Sequence, residues 1–165
     1  MKVAYPAILG ALSLVLTYVG SIAPSGRWGI VAVAGLFPAA AVISVGLKAG
    51  VLCWAGASVL ALLLIPDKLC ALMYAILFGL YPVVKVLIER LRRRVPECLL
   101  KLVFFNAAFS VLFLTMKAAV IGSLPAAFSV VWVLYLVGNI VFLAYDFGFS
   151  KLISLYIARI DRVMR

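Results

Sequence analysis

Long apolar runs recur along this chain and decide what it can fold into. A helix needs about 20 mostly apolar residues to cross the hydrocarbon core of a bilayer. Pro24, Gly26 and Pro66 stand in short segments between such runs, where helices end. We therefore predict an all-α, polytopic membrane protein, a six-helix transmembrane bundle. Its six predicted helices cover residues 3–22, 28–46, 49–65, 69–88, 97–121 and 126–147.

Charged residues are too few to cover a soluble domain of this length. They form 12% of the 165 residues, whereas soluble domains carry about 25%. Hydrophobic residues form 68% of the chain. Among the common classes of protein, only a membrane protein fits this balance.

The first apolar run also has features of a secretory signal. Lys2 precedes it, and it ends in the small residues SIA (21–23). Pro24 would stand just after the cleavage point, where it disfavours processing, and the run is long enough to span a membrane. We expect it to be retained as the first helix.

Proline and glycine predict local features inside and between these helices. Pro38 lies inside the second predicted helix and Pro82 inside the fourth. Proline removes a backbone donor and bends a helix, so we expect a kink at Pro38. The segment GLKAG (46–50) is expected to make a tight turn between the second and third helices.

The densest run of positive charge, IERLRRRVPE (88–97), lies between the fourth and fifth predicted helices. With six helices, this loop and both termini share one side of the membrane. That side holds twelve of the fifteen Lys and Arg residues, all except Arg27, Lys68 and Lys117. Cytoplasmic loops carry such an excess, so both termini of this multi-pass protein are predicted to be cytoplasmic. The predicted topology anchors, with anionic lipid headgroups as partners, are Arg90, Arg92, Arg93 and Arg94.

The tail after the last predicted helix is amphipathic. Apolar residues recur at helical spacing against basic ones over residues 149–165. Two domains follow, a transmembrane domain at 1–148 and a cytoplasmic, basic tail at 149–165. The tail either lies on the membrane surface or continues the sixth helix into water.

Several functional classes lack the residues they need. The chain has no histidine, no CxxC pair and no P-loop motif, so we predict no metal site, no cofactor and no enzymatic activity. The basic residues fall between apolar runs rather than on one soluble face, which disfavours nucleic-acid binding. No pair of acidic residues lies deep in a predicted helix, which disfavours proton-coupled transport.

Polar side chains in or near the membrane are the candidates for a binding site. Asn106 and Asn139 lie within predicted helices, where each either makes an inter-helix hydrogen bond or lines a cavity. Short outer loops with a cation and aromatic residues could cap a small-molecule pocket, although such aromatics commonly form an interfacial belt. These outer candidates are Arg27, Trp28, Lys68, Tyr74, Trp132 and Tyr135.

The first predicted helix carries small residues on one face. Ala7 and Ala11 form a small-xxx-small pair in AILGA (7–11), which lets another helix approach closely. Packing within the same chain is the default interpretation of this pair.

The pattern as a whole resembles the substrate-binding S component of energy-coupling factor (ECF) transporters. The resemblance rests on the six-helix architecture over residues 3–147, on AILGA, and on the segment GLFPAAAVISVGLKAGVLCWAGASVLALLLIP (35–66). It implies a subunit that binds a vitamin or other micronutrient from the outer side and then pairs with a transmembrane coupling protein, which carries two ATPase subunits. It also implies that Ala7 and Ala11 contact the coupling protein. The outer loops here are shorter than is common among vitamin binders.

Two other interpretations remain open. One is a structural or assembly protein of the cell envelope without a transported ligand. The other is a small carrier that works by itself.

Overall fold

The structure is a computed structural model that describes residues 4–122 and 131–163, with the side chains of 4–116 and 132–158. All regular structure in this part of the chain is helical. Its elements are α1 (Ala4–Ile22), α2 (Arg27–Ala34), α3 (Leu36–Val45), α4 (Leu47–Leu64), α5 (Lys68–Leu72), a π-helix (Met73–Phe78), α6 (Tyr81–Glu89), α7 (Arg94–Gly122) and α8 (Val131–Val163).

Within the described ranges, six helical segments are long and apolar enough to cross a membrane. This confirms the all-α class and the number of predicted helices. Some predicted features lie outside the described residues. These are the starts of the first and sixth helices at residues 3 and 126, and residues 123–125 between the fifth and sixth helices. The six spans, numbered in chain order, are Ala4–Ile22, Arg27–Val45, Leu47–Leu64, Lys68–Glu89, Arg94–Met116 and Trp132–Ala158.

The chain forms two compact units, Met1–Arg90 and Leu91–Arg165. The core of the first unit is rich in alanine, which lets its helices pack closely. Its larger members include Val31 from α2, Ile65 after α4, and Tyr74 from the π-helix. All three are fully buried.

The second span is broken at Gly35, between α2 and α3. A Cβ built at Gly35 would lie 2.5 Å from the carbonyl oxygen of Phe78, so the fourth span approaches the second too closely for a side chain. The predicted kink from Pro38 is therefore present as a break in the preceding turn, where proline lacks the N–H that would bond to the Ala34 carbonyl and its ring crowds that carbonyl. Pro38 itself is in the first turn of α3, where a missing N–H is tolerated.

The fourth span contains the π-helix, which the sequence did not predict. Gly79 N–H donates to the Tyr74 carbonyl, five residues earlier, across 2.7 Å. Pro82 follows within the first turn of α6. The irregular segment thus ends where proline can begin a new helix without losing a needed donor.

A single residue separates the second and third spans. Gly46 has φ +117°, which other residues rarely adopt, and α4 starts at the next residue. The predicted tight turn is therefore present, and it is shorter than GLKAG.

The second unit is an antiparallel pair formed by α7 and α8. Phe105 stacks on Phe142 with ring centroids 4.7 Å apart, and Phe109 meets Tyr135 edge-on at 5.1 Å. Met116 has non-helical backbone angles and marks a kink in α7. Helix α8 runs through residue 148 without a break, so the described part of the predicted tail continues the last span.

Candidate functional site

Arg27 and Asp67 join the starts of the second and fourth spans. Arg27 Nη1 lies 3.1 Å from Asp67 Oδ2, and both side chains are about a third exposed, at 34% and 28%. The Arg27 guanidinium also lies 5.0 Å from the ring centroid of Trp28. Asp67 Oδ1 accepts hydrogen bonds from the backbone N–H groups of Leu69 and Cys70 and thereby caps α5. The predicted ligand cation Arg27 is therefore paired with a carboxylate.

Lys68 caps the end of the third span. Its Nζ donates to the carbonyl oxygens of Leu62 and Ile65 across 2.8 and 2.9 Å. These carbonyls belong to the last turn of α4 and to its C-cap, where partners from the helix itself are missing and a cation is favourable. Lys68, like Arg27, was predicted to contact a ligand, and it instead bonds to groups of the chain itself.

Tyr74 is buried at the centre of the first unit. Its hydroxyl oxygen lies 2.7 Å from Ser13 Oγ, which lies 2.8 Å from the Ala34 carbonyl oxygen. The carbonyl can only accept, so the Ser13 hydroxyl donates to it and accepts from Tyr74. Thr17, one turn further along α1, donates to the Ser13 carbonyl across 2.8 Å. The sequence had placed Tyr74 among the outer candidates, whereas its partners lie within spans one and two.

The third span contacts the π-helix through Trp54. The indole Nε1 donates to the Ala75 carbonyl across 2.8 Å. Ser58 lies one turn further along α4 and is 6% exposed. Its hydroxyl has no partner in the described part of the chain.

Polar pairs connect α7 and α8 in the second unit. Asn106 and Asn139 donate to each other through their side-chain amides across 2.9 and 3.1 Å. Each also donates to the carbonyl four residues earlier in its own helix. The predicted inter-helix hydrogen bond is therefore present.

Two further polar positions of the second unit differ in their surroundings. Tyr135 hydroxyl lies 2.7 Å from Ser110 Oγ, which ties α8 to α7. Trp132, by contrast, is 73% exposed at the start of α8. An exposed indole at the end of a span is typical of the membrane interface.

Two further ion pairs, like Arg27–Asp67, were not predicted from the sequence. Lys101 Nζ lies 3.1 Å from Asp146 Oδ2 between α7 and α8, with both side chains largely buried. Lys85 is 2% exposed, with its Nζ 3.0 Å from Glu89 Oε1 and 5.7 Å from the Tyr81 ring centroid. Tyr81, Lys85 and Glu89 follow one another at intervals of four residues, so the second pair could have been predicted from the sequence.

Ala7 and Ala11 are exposed on α1. They line a groove of about 500 Å³ that lies between α1 and α4. A Cβ built at Gly10 would lie 3.4 Å from the Cys53 carbonyl oxygen, so the two helices touch at the floor of the groove. Within the first unit, the small pair of the first helix is therefore exposed beside this groove and is not buried against another helix.

The arginines of the 88–97 segment are exposed. Arg92 has φ +52°, an uncommon conformation for a residue with a side chain. None of the four forms an ion pair or a side-chain hydrogen bond within the described residues, so their charges are available to an external partner. These are Arg90, Arg92, Arg93 and Arg94.

In the second unit, Asn139 links Asn106 and Tyr135 through hydrogen bonds, whereas Trp132 is exposed. In the first unit, Arg27 and Trp28 are adjacent, whereas Lys68 and Tyr74 bond to different partners.

Comparisons of the chain with protein-family models, with curated proteins and with solved structures each give no match.

Proposed function

We propose that this chain is a membrane-embedded subunit that binds a small solute, such as a vitamin or other micronutrient, and depends on partner subunits for ATP-driven uptake. It would resemble the S component of an ECF transporter. The observation that carries the proposal is the exposed pair Ala7 and Ala11, which lies beside a groove on the first of six spans. Small residues on an exposed helix face allow a partner helix to approach closely in lipid.

The distribution of charge supports an orientation with both termini in the cytoplasm of a bacterial cell. Twelve of the fifteen basic residues then face that side. Ala7 lies in the first turn of α1 and would be near the cytoplasmic surface, as would Lys48 at the start of α4. A coupling protein could reach both from the same side.

Co-purification tests the partner. The tagged chain is expected to retain a transmembrane coupling protein and its ATPase subunits when extracted gently from its native membrane. Ala7→Trp or Ala11→Trp should remove most of that partner, because an indole would hold the two helices apart. Ile8→Trp is the matched control, since Ile8 is also exposed on α1 but does not line the groove.

Mass spectrometry of small molecules retained by the wild-type complex tests the ligand. A solute retained in a fixed ratio to the protein would support the binding function. The proposal is abandoned if no partner is recovered and both groove substitutions leave the purified material unchanged.

A structural or assembly role in the cell envelope is the second candidate. It is favoured by the internal bonding of the predicted ligand groups, since Arg27 pairs with Asp67 and Asn106 with Asn139. In that case no small molecule would be retained, and deletion would alter cell shape or division while leaving solute uptake normal.

A further inference from the structure

The groove between α1 and α4 has walls of small and apolar side chains and one charged residue. Ala7, Gly10 and Ala11 line it from α1, while Gly56 and Ala57 line it from α4. Among the residues that the structure describes, Lys48 is the only charged one that lines it.

The groove is about as long as one leaflet of a bilayer is thick. Helices α1 and α4 run parallel, because Gly10 meets Cys53 near their starts and Leu14 packs on the core cluster that contains Ala57. From Lys48 to Leu60, α4 rises about 18 Å, at ~1.5 Å per residue. One leaflet of the hydrocarbon core is about 15 Å thick. The groove therefore matches the length of a lipid acyl chain in one leaflet.

Lys48 gives one end of the groove an affinity for anions. It is exposed and has no ion pair or hydrogen bond within the described residues. It lies in the first turn of α4, whose N-cap Gly46 provides no side-chain cap. A helix N-terminus disfavours a cation and attracts an anion, so an anion here would interact favourably with both the lysine and the helix.

We infer that this groove binds an anionic phospholipid, with one acyl chain along the small-residue walls and the phosphate at Lys48. A soluble anion would leave the apolar walls uncovered. A zwitterionic lipid would cover the walls, but its own cationic group would offset the charge of its phosphate near Lys48. An anionic phospholipid complements both the walls and the charge.

This inference concerns the chain by itself and does not depend on the proposed function. A coupling protein that packs on Ala7 and Ala11 would displace the lipid from the same groove. The experiment therefore uses the purified full chain without partner subunits, so that its outcome is separate from that of co-purification.

Photocrosslinking locates the lipid. The chain is reconstituted in phosphatidylcholine vesicles that contain a trace of phosphatidylglycerol with a diazirine in one acyl chain. After irradiation, labelled peptides should contain Leu14, Leu52 or Leu60, the larger apolar residues of the groove. Excess unlabelled phosphatidylglycerol should compete, while phosphatidylcholine and inorganic phosphate should not.

Two substitutions separate the charge from the walls. Lys48→Gln should lower the labelling of the groove about fivefold, which corresponds to ~1 kcal/mol for one basic residue near a membrane surface. Lys48→Arg should retain it. Gly56→Leu should abolish it, because Gly56 lines the groove and a leucine side chain there would fill it. The substitution should be tolerated, since a Cβ at Gly56 meets no atom within 4 Å. Gly29→Leu is the control, since Gly29 on α2 is equally open and lies outside the groove.

Three results would overturn the inference. Labels spread evenly over other exposed apolar residues, such as Leu63 and Leu114, would show that the groove has no specific occupant. Equal competition by phosphatidylcholine would show that Lys48 does not select an anionic headgroup. A change of oligomeric state in Gly56→Leu, without loss of lipid, would assign the groove to a second copy of the chain.

Discussion

The side-chain amides of Asn106 and Asn139 bond to each other in both directions between α7 and α8. Replacing either by leucine leaves the other amide without its partner in an apolar span. We expect Asn106→Leu and Asn139→Leu each to destabilise the protein by about 1 kcal/mol. The double substitution should cost less than the sum of the two. Unfolding by denaturant in mixed micelles measures all three variants.

Thr115→Val provides the control for this cycle. Thr115 is exposed and donates only to carbonyl oxygens within α7, those of Val111 and Leu112. Its replacement should change the free energy of unfolding by less than about 0.5 kcal/mol. Strictly additive costs for the two asparagine variants would mean that the amides contribute no coupling.

The asparagine pair also shows what the sequence could predict. An amide in each of two consecutive apolar runs must be satisfied away from water, so an inter-helix bond was the expected outcome. The six spans followed in the same way from the lengths of the apolar runs. Tyr74 was harder, because its position near the start of the fourth span suggested the interface. Its hydroxyl instead reaches Ser13, which lies 61 residues away in the chain.

Asp67 has two roles that substitution can separate. Asp67→Asn keeps an oxygen that caps α5 and loses the charge that attracts Arg27. Since the pair is partly exposed and screened by solvent, this change should cost about 0.5 kcal/mol. Asp67→Ala also removes the cap and should cost about 1 kcal/mol more. The same unfolding assay measures the two variants.

Arg27→Gln serves as the check on the charge. It should match Asp67→Asn, and combining the two should add little, because both remove the same interaction. If Asp67→Asn were as damaging as Asp67→Ala, the charge rather than the cap would dominate at this position.

Gly35 and Gly29 should respond to alanine in opposite directions. A Cβ at Gly35 would lie 2.5 Å from the Phe78 carbonyl oxygen, a backbone atom that cannot move aside by itself. Gly35→Ala should therefore destabilise the protein by about 2 kcal/mol, through overpacking. A Cβ at Gly29 meets nothing within 4 Å, so Gly29→Ala should raise stability by up to about 1 kcal/mol through helix propensity.

Thermal unfolding of the two variants beside the wild type tests this pair. Equal effects would mean that the contact between Gly35 and the fourth span is absent. The break at Gly35 lies in the turn before Pro38, so the proline indicated the kink while the contact with Phe78 could not be predicted. Proline is visible in the sequence as a bend, whereas a close approach to Phe78 depends on how the fourth span packs.

Cys98 offers a direct test of the proposed orientation. It is the exposed thiol of α7, while Cys53 and Cys70 are buried. Cys98 lies four residues after Arg94, about 6 Å along the helix, and is therefore close to the predicted cytoplasmic surface. A membrane-impermeant maleimide should label it in inverted vesicles and leave it unlabelled in intact cells.

The opposite side is tested by placing a thiol in the turn between α1 and α2. Ser25 is exposed there, so Ser25→Cys in a Cys98→Ser background should be labelled in intact cells. Cys98→Ser by itself should show little labelling in either preparation, because the other thiols are buried. The reverse pattern, with Cys98 labelled in intact cells, would place both termini outside. It would also contradict the interpretation of the 88–97 arginines as cytoplasmic anchors, since the excess of basic residues would then face outward.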